Sequence, residues 1–126
     1  MPEIVLVLGG YGVFGSRISM ALARDARVDL IVAGRDLKAA SAFCAGHGGR
    51  PEVIDRDAPA FADRIARLTP LVVIDAAGPF QSYGAQPYRV AEAALAAEAH
   101  YLDLSDDRDF TLGIYRGWLV PDDAMG

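Results

Sequence analysis

The residues Ile4-Val5-Leu6-Val7-Leu8-Gly9-Gly10-Tyr11-Gly12-Val13-Phe14-Gly15 decide the fold of this 126-residue chain. An unbroken apolar run enters a glycine-rich turn. A segment with Phe14, Ile18, Ala21 and Leu22 at helical spacing follows. Strand, tight turn and helix in that order set backbone amides and the positive end of a helix around one point, which suits a pyrophosphate. Each glycine has its own expected task. Gly10 allows the sharp turn, Gly12 lets phosphate approach without a Cβ in the way, and Gly15 lets the helix pack closely on the sheet. A plain glycine turn is the competing interpretation, and the flanking strand and helix argue against it.

Outward from this stretch the same alternation repeats. Val28 to Ala33, a short segment at Glu52 to Ile54, Leu71 to Ala76 and Tyr101 to Leu104 read as further strands. Between them lie helical patterns. One carries Leu37, Ala40, Ser41 and Cys44 on a common face behind the N-cap candidate Asp36, and ends at Gly46, Gly48 and Gly49. The next carries Phe61, Ile65 and Leu68, with Pro59 suited to its first turn, and an Ala-rich helix runs from about Pro87 to Ala99. Near-continuous Val/Ile/Leu strands separated by amphipathic helices predict an α/β fold: a doubly wound, mostly parallel, Rossmann-like sheet with helices on both faces. Residues 1–105 are well patterned; 106–126 diverge, with Trp118-Leu119-Val120-Pro121 as the stub of a sixth strand.

Composition narrows the function. Hydrophobic residues make up 52% of the chain and the mean hydropathy is +0.20, enough for one domain with a real core. A net charge of −5 and the absence of any basic run argue against nucleic acid as a partner. No apolar segment reaches the roughly 20 residues of a membrane helix, and Met1-Pro2-Glu3 lacks the basic start of a secretory signal. Cys44 is the single cysteine, and His47 and His100 are the two histidines, so no metal site is expected. A reducing, cytoplasmic setting fits this cysteine usage.

Arg35 follows Gly34 at the end of the second strand, about 20 residues beyond Gly15, where a dinucleotide site ordinarily has an acid for the ribose hydroxyls. No acid occupies Ala33 or Gly34, and Asp36 reads as a helix cap. A guanidinium there pairs with a 2′-phosphate, so NADP(H) is expected in preference to NAD(H). The alternative is a solvated arginine in a β–α loop. Gly78, Pro79 and Phe80 close the fourth strand, where a loop flanks the crevice and faces the cofactor's phosphates or nicotinamide ribose. Asp55, after the third strand, is a candidate acceptor for the adenine amino group; a capping or solvated aspartate is at least as strong a reading. Tyr83, Tyr101, Asp103 and Ser105 lie near the same rim, and none is assigned proton transfer. Cys44 reads as a buried structural thiol. No Gly-Lys-Ser/Thr, Tyr-x-x-x-Lys or Gly-x-Ser-x-Gly signature is present, which sets aside a P-loop nucleotidase, a short-chain dehydrogenase and a serine hydrolase.

Gly9 to Gly15, Ala33-Gly34-Arg35, Ala76-Ala77-Gly78-Pro79-Phe80 with Tyr83-Gly84, Ala91 and Ala94, and His100 to Ser105 together resemble the saccharopine dehydrogenase-like oxidoreductases over roughly residues 3 to 110. The resemblance implies an N-terminal NADP-binding domain whose cofactor is surrounded by Gly10, Tyr11, Gly12, Val13, Phe14, Gly15, Arg35, Gly78, Pro79 and Phe80. In that family a substrate domain follows and closes over the nicotinamide. Here the pattern departs after Phe110 and the expectation is that these residues lack the substrate domain and, as a fragment, a truncated form or one subunit of a split enzyme, supply the cofactor half of a hydride-transfer enzyme, inactive by themselves. The rival expectation is a non-catalytic sensor or scaffold module that binds NADP(H). The substrate is a small molecule that the residues do not name, and self-association through exposed apolar surface is a further expectation.

Overall fold

The computed structural model describes residues 2–77 and 88–104. The Gly78-Pro79-Phe80 loop, Tyr83, Pro87, Ser105 and the stub at 118–121 lie outside the described residues. Elements alternate: β1 (Glu3–Leu8), α1 (Gly15–Ala23), β2 (Val28–Gly34), α2 (Leu37–His47), β3 (Arg50–Val53), α3 (Phe61–Leu68), β4 (Val72–Asp75), α4 (Arg89–Ala96) and β5 (His100–Asp103). The strands form a single parallel sheet in the order β3-β2-β1-β4-β5. The expected doubly wound α/β architecture is therefore observed.

Side-chain alternation along the strands divides the core. Leu6 and Leu8 of β1, with Ile31 and Ala33 of β2, pack with Phe61 and Ile65 of α3 and Val90, Ala93 and Ala94 of α4. Val5 and Val7, with Leu30 and Val32, turn to the other face and meet Ala40, Ile18, Leu22, Phe43 and Cys44 of α1 and α2. Both faces of each central strand are thus buried, which is why these strands read as continuous apolar runs. Register sets the strand ends: Leu8 is opposite Ala33 on one side and Asp75 on the other, so three carboxyl ends finish at one level.

Two helix faces and one helix start differ from the sequence expectation. In α1 the inward stripe is Gly15, Ile18, Ser19, Leu22 and Ala23, while Ala21 is exposed and Phe14, 66% exposed, is the N-cap rather than a core residue. In α2, Ala40, Phe43 and Cys44 face the sheet; Leu37 is 51% exposed and Ser41 is also outside. Helix α3 begins at Phe61, so Pro59 sits in the preceding turn. Asp36 does cap α2, its Oδ1 accepting the Ala39 N–H at 3.1 Å. At the amino edge of the sheet, hydrogen bonds from the Arg27 side chain and backbone hold the Asp25 carboxyl down at about 2.

Ile65 is fully buried between α3 and the sheet, so Ile65→Ala is expected to cost about 2–5 kcal/mol in urea denaturation. Leu37→Ala, at an exposed position, should cost less than about 1 kcal/mol.

Candidate functional site

Strands β2 and β4 lie on opposite sides of β1, and the helices that follow β1 and β4, α1 and α4, lie on opposite faces of the sheet. Open α/β sheets bind ligands in the crevice such a divergence leaves. A cleft of about 580 Å³ lies there, lined by the turn after β1, the end of β2, residues just beyond β3 and the end of β4.

The glycine turn forms one wall. Gly9 has φ +72°, so it is Gly9, not Gly10, that takes the left-handed conformation the sharp turn needs. Two adjacent glycines are equivalent in sequence, and the backbone direction leaving β1 selects the first. The Gly9 N–H continues the β1–β2 ladder by donating to the Ala33 carbonyl at 2.8 Å. Its own carbonyl accepts the Gly12 N–H at 3.0 Å, and the Gly12 carbonyl then accepts the Ser16 N–H at 2.9 Å, which leads into α1. The turn is closed tightly enough that a Cβ at Gly12 would stand 3.2 Å from the Gly9 oxygen, and one at Gly15 would collide with that oxygen. Gly10 lies beneath, where a Cβ would come within 2.8 Å of the buried Ser19 Oγ. No side chain caps α1; in its first turn the Ser16 and Arg17 N–H groups donate to the Gly12 and Phe14 carbonyls at 2.9 and 3.2 Å, so its amino end offers a ligand the helix dipole rather than those amides.

Of the candidate residues, Tyr11, Gly12, Val13, Phe14 and Arg35 line the cleft. Gly10 and Gly15 sit behind it as packing positions. Val13 and Phe14 are 78% and 66% exposed, an apolar rim at the mouth. Arg35 is exposed at the carboxyl end of β2, whereas the neighbouring Asp36 carboxylate is engaged by α2 and does not line the cleft. Asp55 is not in the lining either. Its Oδ1 accepts the Asp57 N–H at 2.9 Å, the local capping that was the alternative for this residue. Cys44 is partly rather than fully buried, away from the cleft, and burial pushes its thiol up, against thiolate chemistry.

Several lining residues escaped sequence reading. Arg56, with its side chain 15% exposed, pairs with Asp57 at 3.2 Å on the β3 side. Asp75 ends β4 with no exposed surface, and its Oδ1 accepts the Ala77 N–H at 3.1 Å. The signal for Asp75 was a lone acid closing the apolar Val72-Val73-Ile74 run at the switch point. Arg56 carried no such signal, because its position depends on how the chain leaves β3. Among the described residues no three His, Cys, Asp or Glu side chains gather as a metal site, and no helix is long and apolar enough to cross a membrane.

The site fits a dinucleotide on its own geometry: glycines where a Cβ would fill the turn, an uncapped helix start, and a cation at the second strand end. Comparison with known proteins points the same way. The structure is similar to apo saccharopine dehydrogenase (L-Glu forming) from Saccharomyces cerevisiae, with a TM-score of 0.70 at 21% identity over 89% of this chain and 24% of that one. The chain therefore spans about a quarter of that enzyme. It is also similar to the ADP-L-glycero-D-manno-heptose-6-epimerase of Helicobacter pylori, with a TM-score of 0.65 at 15% identity over 81% of this chain and 38% of that one. A triphenylmethane reductase of Citrobacter sp. complexed with NADP(H) matches with a TM-score of 0.59 at 20% identity, over 79% of this chain and 36% of that one. At these identities the likenesses establish the fold alone. A search of the curated proteins found no match. The model of the saccharopine dehydrogenase NADP binding domain matches residues 5–114, most of the sequence, and the chain belongs to that family.

Proposed function

We propose that this chain binds NADP(H) across the β1/β4 switch point, in preference to NAD(H), as the cofactor half of an oxidoreductase. The observation that carries the reading is the shared cleft: the α1 turn and Arg35 open into one space, while Asp36, the acid next to Arg35 in the chain, is turned to its own helix. The turn amides of Tyr11, Val13, Phe14 and Gly15 hold the pyrophosphate, the Gly12 N–H being bonded to Gly9, and the dipole of α1 helps. The Arg35 guanidinium pairs with the 2′-phosphate, and its planar fork suits a phosphate oxygen pair. Val13 and Phe14 shield the phosphates from water at the mouth. Gly78, Pro79 and Phe80, following β4, complete the nicotinamide side on this reading.

When bound, the nicotinamide supplies or accepts hydride toward a substrate carbonyl, imine or related group. The residues of this chain bind and orient, and none is assigned proton transfer. A second domain supplies the substrate contacts, in keeping with the quarter-length match to the yeast enzyme. A cytoplasmic setting belongs to the same reading, supported by the single cysteine.

Calorimetric titration is expected to show NADPH binding more tightly than NADH, with the NADPH affinity falling more steeply as salt is raised. Arg35→Ala should weaken NADPH about 10- to 100-fold and leave NADH nearly unchanged, the size expected for charge-assisted hydrogen bonds. Equal affinities in the parent protein would remove the role given to Arg35. Gly12→Val should abolish binding of both cofactors while the circular dichroism spectrum stays folded, because the branched side chain enters the phosphate approach. Normal binding by Gly12→Val would place the cofactor elsewhere.

A further inference from the structure

We propose that Tyr11 is the positioning residue for Arg35, clamping the β2–α2 turn on both sides of it and so setting part of the discrimination between NADP(H) and NAD(H). This inference rests on the role given to Arg35 above.

The two neighbours of Arg35 in the chain both touch Tyr11. On one side is Gly34, where the phenol ring lies so close that a Cβ would stand 2.6 Å from Tyr11 Cε1 and 2.7 Å from Cζ, and nearer still to the hydroxyl. Glycine at this position is therefore required by the ring above it. On the other side is Asp36, whose backbone N–H donates to the Tyr11 hydroxyl at 3.1 Å. The Asp36 carboxylate then accepts the Ala39 N–H, which carries the restraint into the first turn of α2. Tyr11 is itself seated: it is half-buried and packs against the cluster of Val7, Val32 and Ala40. The Arg35 backbone is thus held between two points fixed to the sheet, while its side chain is exposed in the cleft.

The physical consequence is preorganisation. A long arginine side chain loses rotamer freedom when it pairs with a phosphate, and a mobile backbone beneath it adds to that cost. Anchoring Gly34 and Asp36 removes the backbone part. The benefit reaches a ligand only where Arg35 contacts it, at the 2′-phosphate. A purely structural tyrosine, or one that merely touches the pyrophosphate, affects both cofactors alike. Selectivity therefore separates the readings where affinity alone does not.

The test is calorimetry of the full chain with NADPH and NADH, comparing the parent, Tyr11→Phe, Arg35→Ala and the double variant. Tyr11→Phe keeps the ring and removes the acceptor for Asp36 N–H. It is expected to lower the NADPH-to-NADH affinity ratio roughly three- to tenfold, the scale of one hydrogen bond. The double variant should show the same cofactor ratio as Arg35→Ala alone. Equal weakening of both cofactors, or an unchanged ratio, overturns the positioning role while leaving Arg35 in place. If Arg35→Ala itself leaves the ratio unchanged, the assignment of Arg35 fails, and the proposal fails with it. Should Tyr11→Phe lose its folded circular dichroism spectrum, Gly34→Ala decides the matter, since its methyl displaces the ring from the turn. Selective loss of NADPH supports the clamp, and equal or no loss overturns it.

Discussion

The approach of Gly15 to the Gly9 carbonyl is the contact on which the rest of the molecule depends. Helix α1 starts so close to the end of β1 that a side chain at position 15 would collide with the strand's last turn. Only this closeness puts the amino end of α1 at the sheet's carboxyl edge, where its dipole acts on the cleft. A larger residue would push the helix outward, and the Gly9 carbonyl would lose its bond from Gly12. The same crowding recurs at Gly10 against Ser19, so strand, turn and helix form one closely packed unit.

Parallel register carries this geometry across the sheet. Because Leu8 is level with both Ala33 and Asp75, the turns leaving β1, β2 and β4 surround one opening. The β2 side presents a cation, Arg35, on a backbone tied to Tyr11. The β4 side presents a fully buried carboxylate, Asp75, stabilised in part by the Ala77 N–H. Arg35 is thus exposed at the opening, while Asp75 is sealed beneath it.

Much of this was legible from residue order. Val5–Leu8 and Leu30–Ala33 are buried on both faces and therefore show no polar alternation, which identified them as parts of parallel strands. Asp36 was readable as a cap because a short acid before an apolar helix has little else to do. Helix faces were less readable. Phe14 fits an i, i+4 stripe with Ile18, yet it precedes the first helical residue and points outward. Leu37 fits a stripe with Ala40 and Cys44, but α2 reaches the sheet through Phe43 instead. Apolar spacing names a candidate face; the helix's starting residue and its neighbours decide how much of it is covered.

By itself, then, the amino-acid order determined the alternation of strands and helices, the glycine turn that opens the first crossover and the cation where an acid is usual, because these follow from local sterics and patterning. Tertiary structure alone decided that Gly9 rather than Gly10 takes the left-handed turn, that Arg56 and Asp75 border the cleft while Asp55 caps its own loop, and that Tyr11 reaches over Gly34 to Asp36. The Asp55 bond to Asp57 is local and follows the path of its own loop; the others depend on where a distant segment lies, and such partners leave no periodic trace in the sequence.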